Sequence, residues 1–342
     1  MPTQDSSELR GLAASNPVDL TELEATIEKD RAWATIEARL AADPRPQRRS
    51  PRRGRRRIAL AIGTAALLLS VVLALTPSRR DRQGRVARLL DATAAVASAH
   101  GGPHRSASSP YLYVESESAD LVTFGDGGGW SALVKTRRQE WAAADGSGRL
   151  RETRSGPIFL GPRDEDRARR AGAPRLGGRS SDRAARAGTL GDADLARWST
   201  DPARLRTQLE ERAKRADAPR NVEMLVLVGD LLRQADAPPK LRAALYRAAA
   251  EIPGVAIVDD ARDPLGRAGR GIAVTSDHSG DRERYELIFD PRTSMLLAEE
   301  TRLLDRVPYV DAEPPALIEY TAYLRYEPVR STRTCPRNAS CE

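Results

Sequence analysis

The stretch IALAIGTAALLLSVVLAL, Ile58 to Leu75, divides the chain into two unequal arms. It has eighteen residues, no charge, and only Thr64 and Ser70 as mild polar interruptions. As a helix rising ~1.5 Å per residue it is about 27 Å long, close to the hydrocarbon thickness of a bilayer. Only a helix satisfies its own backbone polar groups in lipid, so the segment reads as a single membrane span over residues 58–76. Two rivals fit less well. A cleaved signal peptide has a short charged leader, whereas 57 residues stand before this run, and LALTPS is a poor cleavage site. A buried soluble helix would not carry a fully apolar circumference next to a dense arginine cluster.

That cluster sets the orientation. Arg45, Arg48, Arg49, Arg52, Arg53, Arg55, Arg56 and Arg57 precede the span, and Arg79, Arg80, Arg82, Arg85 and Arg88 follow it. The excess places the N-terminus in the cytoplasm by the positive-inside rule. Arg48–Arg57 also forms a juxtamembrane patch suited to anionic lipid headgroups. Cys335 and Cys341 are the only cysteines, and both lie in the C-terminal tail. They can close a small disulfide loop outside the cell, where thiols oxidise. Two unpaired tail thiols are the plainer alternative.

The net charge of +7 is almost all arginine, since lysine occurs only at Lys29, Lys135, Lys214 and Lys240. Arginine, alanine, glycine and proline richness together look like the codon bias of a high-GC genome. No nucleic-acid motif or interleaved aromatic accompanies the basic run, so nucleic acid is not an expected partner.

The cytoplasmic tail, 1–57, carries two apolar triplets, Leu20, Leu23, Ile27 and Trp33, Ile36, Leu40. In one straight helix they would face different sides, so the tail is either two short helices or one helix with two faces. Trp33, Ile36 and Leu40 are the candidate anchors for a cytoplasmic partner; a partly folded juxtamembrane tail is the alternative.

The outer part, 77–330, reads as α+β with an antiparallel sheet. A helix carries Val86, Leu89, Leu90, Thr93, Val96 and Ala97. Strands are expected at Tyr111–Val114 and Trp130–Ala143, with a return after the Asp145-Gly146-Ser147-Gly148 turn. Residues 156–192 are Gly, Pro, Arg and Asp rich and read as a long exposed loop. Three inserted helices occupy about 200–252. One opens at Asp201-Pro202, one spans Val222–Leu232, and one runs from Pro238-Pro239 to Pro253-Gly254. Strands return at Val255–Val258, Gly271–Thr275, Arg284–Phe289, Met295–Thr301 and Leu317–Tyr326, with a turn at Asp290-Pro291. Residues 331–342 form a flexible tail.

Recognisable catalytic chemistry is missing from the pattern. His100 and His104 are separated by Gly101-Gly102-Pro103, which argues against a helical metal pair. His278 sits between Asp277 and Ser279 in a polar turn, and adjacent residues do not build a triad. Gly125–Gly129 lacks the context and lysine of a phosphate cradle. The expectation is therefore a non-enzyme with no cofactor and no metal. The tail has neither His nor Cys, so it is not a zinc-stabilised anti-sigma module. Trp130, Trp141 and Trp198, with Tyr111 and Tyr113, are read mainly as packing, with a groove lining as the alternative.

Several stretches together resemble one uncharacterised family of single-pass membrane proteins in high-GC Gram-positive bacteria. They are Tyr111-Leu-Tyr-Val114, Glu140-Trp141 with Asp145-Gly-Ser-Gly148, Thr200-Asp-Pro202, Leu241-Arg-Ala-Ala-Leu-Tyr-Arg247, Ile252-Pro-Gly-Val255, Gly269-Arg-Gly-Ile-Ala-Val274, and Glu286-Leu-Ile-Phe-Asp-Pro-Arg-Thr293. Ser294 stands here where that family usually has a turn glycine. Members are often encoded beside sigma factors. The resemblance thus implies a membrane-anchored regulatory or sensory role with a sigma factor as the cytoplasmic partner. More distantly, the exported part is similar in pattern to the half-barrels of lipoprotein carriers and sigma regulators. That likeness implies a curved sheet holding inserted helices, and a second role, a membrane-tethered module for an apolar lipid or lipoprotein ligand.

Overall fold

The computed structural model describes residues 79–125, 129–172, 177–191 and 195–336. The expected span, the tail with Trp33, Ile36 and Leu40, the Arg48–Arg57 patch and Cys341 lie outside the described residues. No helix among the described residues is long and apolar enough to cross a membrane.

Among the described residues nine strands form one open antiparallel sheet. In chain order they are β1 (Tyr111–Phe124), β2 (Trp130–Ala142), β3 (Gly148–Ile158), β4 (Arg179–Ala185), β5 (Ala256–Val258), β6 (Arg270–Ser276), β7 (Glu283–Phe289), β8 (Leu296–Leu303) and β9 (Ala316–Val329). Across the sheet the order is β4-β3-β2-β1-β9-β8-β7-β6-β5. Two hairpin meanders are thus joined at their inner strands, where β9 returns to pair with β1. The helices are α1 (Arg79–Ala99), α2 (Pro162–Arg170), α3 (Pro202–Ala213), α4 (Arg220–Leu232) and α5 (Pro239–Ala250). The α+β class with an antiparallel sheet is as the sequence implies.

Local chemistry accounts for most of these elements. In the β2–β3 turn, Asp145 Oδ1 accepts from Ser147 N at 2.9 Å and Ser147 Oγ at 2.7 Å. Gly146 there takes φ +74°, a conformation costly for residues with a Cβ. Asp201 caps α3 by accepting from Arg204 N at 2.9 Å, with Pro202 in the first turn. Helix α1 buries Val86, Leu90, Ala94 and Ala97, a helical stripe, and packs on α5. Helices α3, α4 and α5 add Leu205, Leu209, Leu225, Val228, Leu241, Leu245 and Ile252 to the same core. The sheet supplies Ile272, Val274, Leu287, Phe289, Leu296 and Tyr323. The helical layer therefore covers one face of the sheet, with α4 resting on β6, β7 and β8.

The opposite face is a ladder of paired charges. Glu115 takes two hydrogen bonds from Arg137, at 2.9 and 2.5 Å. Glu117 pairs with Lys135 at 2.7 Å, and Arg302 with Glu300 at 2.6 Å. Alternation with period two separates this face from the helix-covered one.

One expectation is corrected. Residues 156–192 are not a plain loop: α2 and β4 lie within them. Helix α2 starts on Pro162, with Asp164 and Glu165 in its first turn and Arg167, Arg169 and Arg170 in its last, an order that suits the helix dipole. Non-local contacts fix it, among them Asp164 Oδ2 accepting from Asp311 N at 2.9 Å, Arg167 donating to Gly129 O at 3.0 Å, and Ala168 packing with Trp130 and Ala132. Strand β4 is exposed almost throughout and gains its place by pairing with β3.

The β7–β8 turn shows how Ser294 replaces a glycine. Ser294 takes φ +58°, yet the hairpin is tight, with Ser294 N donating to Asp290 O at 2.8 Å and Asp290 N to Met295 O at 2.9 Å. The hydroxyl is held by Arg242 of α5, whose Nη2 donates to Ser294 Oγ at 2.8 Å and to Thr293 O at 3.2 Å. Arg242 is 1% exposed, and its Nη1 has no hydrogen-bond partner among the described residues. Burial pushes the basicity of this guanidinium down. Ser294→Gly relieves backbone strain of about 1 kcal/mol but removes a hydrogen bond to a buried charge, worth ~1.5–3 kcal/mol. The expected result is a net loss of about 1 kcal/mol in urea unfolding. In an Arg242→Met background the same change gains about 1 kcal/mol, since only the strain remains. Equal effects in both backgrounds would remove the coupling.

Candidate functional site

The sheet brings together one set of titratable groups that the sequence pattern does not reveal. On the helix-covered face, Tyr285 of β7, Glu299 of β8 and Tyr323 of β9 are neighbours. Tyr285 Oη donates to Glu299 Oε2 at 2.7 Å, and Tyr323 Oη donates to Glu299 Oε1 at 2.6 Å. Register places them so, because Leu287 is paired with Glu299, and Thr321 lies opposite Glu299 one step along β9. The adjacent Glu300 points to the other face, where it meets Arg302.

Helix α4 closes over this cluster. Arg233, one turn beyond Gly229, lies 3.7 Å from Glu299 Oε1 and pairs with Asp230. Burial raises the affinity of the Asp230 carboxyl for its proton, and Glu299 and Glu223 add to the rise against Arg233. Burial opposes the charge on Arg233, but Glu299, Tyr323 and Asp230 outweigh it and hold the guanidinium firmly protonated. Tyr285 and Tyr323 are pushed well above 10.0, first by burial and then by the Glu299 charge.

Gly229 allows this approach. A Cβ there would lie 2.8 Å from Tyr285 Oη, 2.9 Å from Glu299 Oε2 and 3.0 Å from Leu287 Cδ2. Gly229→Ala gains about 1 kcal/mol of helix propensity. It pays ~1–3 kcal/mol for overpacking against groups fixed by hydrogen bonds. The expected net effect is a loss of about 1–2 kcal/mol, measured by urea unfolding. A variant more stable than the parent would show that α4 does not rest on this cluster.

A cleft opens on each side of α4. One, of about 400 Å³, lies between α4 and β6–β9 and is lined by Asp230, Glu283, Glu299, Glu300 and Glu319 with one guanidinium, Arg233. The other, of about 570 Å³, lies towards β1 and β2 and holds Arg105, Arg138, Arg212 and Arg233 with Glu140, Asp230 and Asp236. Both volumes are in the range of small-ligand sites. Asp230, Arg233 and Thr321 line both. Apolar side chains line both clefts beside these charges, Val222, Val226 and Val274 in the smaller and Val114, Leu227, Leu231 and Trp198 in the larger, and they are continuous with the core between helices and sheet.

No protein family, curated protein or solved structure matches this chain. The site is therefore read from its own chemistry.

Of the residues singled out from the sequence, Trp130, Trp141 and Tyr113 are buried, while Trp198 lines the larger cleft. Trp141 Nε1 donates to Thr334 O at 2.9 Å, which ties the C-terminal segment to β2. His100, His104 and His278 are exposed, and the rings of His100 and His104 contact only nearby carbonyls, Val96 O at 3.2 Å and Gly102 O at 3.3 Å. Among the described residues no three His, Cys, Asp or Glu side chains are grouped to hold a metal. Cys335 lies at the end of the described chain and its expected partner Cys341 beyond it.

Both Glu299 oxygens accept from tyrosines, and those tyrosines are poor proton donors near neutrality because their ionised forms are disfavoured.

Proposed function

We propose that this chain is a non-enzymatic, membrane-anchored sensory or regulatory protein. Residues 58–76 anchor it, the α+β part lies outside the cell, and the 1–57 tail meets a cytoplasmic partner, a sigma factor by resemblance to the family described above. The observation that carries the sensory half is the pair of charged clefts flanking α4. They have the volume for small ligands, and carboxylates and guanidiniums on their walls to hold them. The sheet with helices inserted between β4 and β5 also supports the half-barrel likeness. The rival reading, an apolar lipid or lipoprotein site, calls for an apolar hollow under the sheet. The carboxylates and guanidiniums on these walls weigh against it, since burying them against a lipid chain costs several kcal/mol each (on the order of 3–5).

Signalling requires that a ligand favour one state of the outer part and so alter the tail. The test uses full-length protein in membranes of its host, cross-linked and purified. Capture of a sigma factor, lost on replacing Trp33, Ile36 and Leu40 by Ala, supports the reading. Retention of no soluble protein removes the cytoplasmic half. Protease added to intact cells should digest residues 79–336; sparing them would overturn the orientation.

A further inference from the structure

The face of the sheet turned from the helices holds two buried acids side by side. Glu286 of β7 and Glu300 of β8 are direct partners in the ladder, and Arg284 and Arg302 form the next pair on the same face. Side chains so placed have Cβ atoms ~4.5–5.5 Å apart, and like charges there repel. Solvent does not screen this pair, since the Glu286 and Glu300 side chains are 3% and 0% exposed. The arginines satisfy them only in part. Arg302 places both its hydrogen bonds on one oxygen, Glu300 Oε2, at 3.0 and 2.6 Å. Arg284 Nε donates to Glu286 Oε1 at 2.5 Å, and Arg302 Nε lies 3.8 Å from the same oxygen. Glu300 Oε1 is left buried with no hydrogen bond among the described residues.

The other groups near Glu300 are already engaged. Tyr320 of β9 stands opposite it, but that hydroxyl donates to Glu117 at 2.7 Å, and Glu117 pairs with Lys135 of β2. Asp263, between β5 and β6, is a third buried acid, held by Arg267 at 2.5 Å. A lone acceptor sealed from solvent has room for a hydrogen ion, whereas a water needs a cavity. Burial raises the affinity of Glu300 for a proton, Arg302 opposes the rise, and the charges of Glu286 and Asp263 add to it.

We propose that Glu300 is a proton-binding site of the folded outer domain, with Oε1 carrying the proton and donating it to Glu286 across the ladder. A hydrogen ion from the medium adds to the carboxylate, and one negative charge leaves the pair. Protonation gives Oε1 a partner and ends the repulsion between β7 and β8. Loss of the proton restores that repulsion at the strand whose preceding residue, Glu299, holds Tyr285 and Tyr323 beneath α4. Through this one carboxyl acid tightens the sheet and alkali loosens it. The inference goes beyond the ligand-sensing reading and needs neither the clefts nor a cytoplasmic partner.

The expected sign follows from linkage. Glu300 ionises at a higher pH in the folded chain than the ordinary 4.5, so the folded state holds an extra proton between the two values. Its contribution is full below pH 4.5 and is lost as pH rises through the folded value. The test is urea unfolding of the full-length chain in detergent, followed by circular dichroism from about pH 4.5 to 7.5, in the parent and in Glu300→Gln. The amide has the shape of the protonated acid and can donate to Glu286. Asp230, Glu283 and Glu319 are also raised by burial and tilt both proteins alike, so the difference between the two reports Glu300. The parent's unfolding constant should climb with pH more steeply than the variant's, by up to about tenfold per pH unit, the limit for one proton. At the top of the range the variant should be no less stable than the parent. Glu286→Gln removes the repelling charge and should reduce the parent's extra slope. Infrared spectra supply a readout that needs no unfolding: the protonated-carboxyl band of the parent should persist to higher pH than that of Glu300→Gln. Equal slopes in parent and Glu300→Gln, or a band unchanged by that substitution, would overturn the assignment. A slope unmoved by Glu286→Gln would remove Glu286 as the acceptor.

Discussion

Glu299→Ala is expected to destabilise the outer domain by about 3–5 kcal/mol. Two tyrosine hydroxyls lose their acceptor at once, and each buried unsatisfied hydroxyl costs ~1–3 kcal/mol. Nothing else is close enough to replace the carboxylate for both, because Tyr285 and Tyr323 approach it from strands on opposite sides of β8. Arg233 keeps Asp230, so its loss is smaller. A domain of this size has a total stability of ~5–15 kcal/mol, and a loss of this size is a large share of it. Glu299→Gln preserves shape and one good acceptor, so it should cost only about 1–2 kcal/mol. Urea unfolding of the full-length chain, followed by tyrosine fluorescence, measures both. An alanine variant within 1 kcal/mol of the parent would show that the tyrosines find other partners and that this cluster does not fasten the sheet.

The same cluster shows where the sequence stops being informative. Asp145-Gly146, Asp290-Pro291, Asp201-Pro202 and Pro238-Pro239 marked turns and helix starts because their chemistry is local. The stripe of α1 and the run of α4 were legible for the same reason, since a 3.6-residue period needs no knowledge of neighbours. Glu299 and Glu300 are adjacent acids, and nothing local says which one faces the helices. Pairing with β7 and β9 decides it, with a register shift between Thr301 and Arg302 on the way. Helix α2 was missed because its buried groups, Asp164 and Ala168, are satisfied by Asp311 and Trp130, residues far away in the chain. Strand β4 has no apolar alternation. Arg149 and Arg151 reach Asp182 across the β3–β4 pair, at 2.5 and 3.1 Å, and a sequence window over 179–185 contains none of that. The clefts were out of reach for a related reason: one is lined from β6–β9 and the other from β1–β2 with β9, strands that become neighbours only when β9 pairs with β1.

Alkaline pH should unfold the domain cooperatively between about pH 10 and 12. Burial raises Tyr246, and burial reinforced by the Glu299 charge raises Tyr285, Tyr323 and Tyr326 well above the ordinary 10.0. On the opposite face burial, with Glu115 beside it, pushes Tyr113 up to about 12. In the unfolded chain all five ionise near pH 10. Above that pH the unfolded state binds fewer protons than the folded one, so stability falls as pH rises. It is fully present below pH 10 and is lost as pH climbs through the folded values. Tyr113 alone accounts for about 2.3 kcal/mol by pH 12. The four groups held higher lose at least a similar amount over the same interval, and together they exceed the stability of a typical domain. Absorbance at the phenolate band should rise in step with loss of circular dichroism, rather than before it. Tyr326→Phe tests the assignment, since among the described residues Tyr326 Oη makes one long contact, to Leu296 O at 3.4 Å. Removing that hydroxyl costs little at pH 7 and should move the alkaline midpoint upward. Early phenolate formation with intact dichroism, or a midpoint unmoved in the phenylalanine variant, would show that these rings titrate freely and that the helices do not seal this face of the sheet.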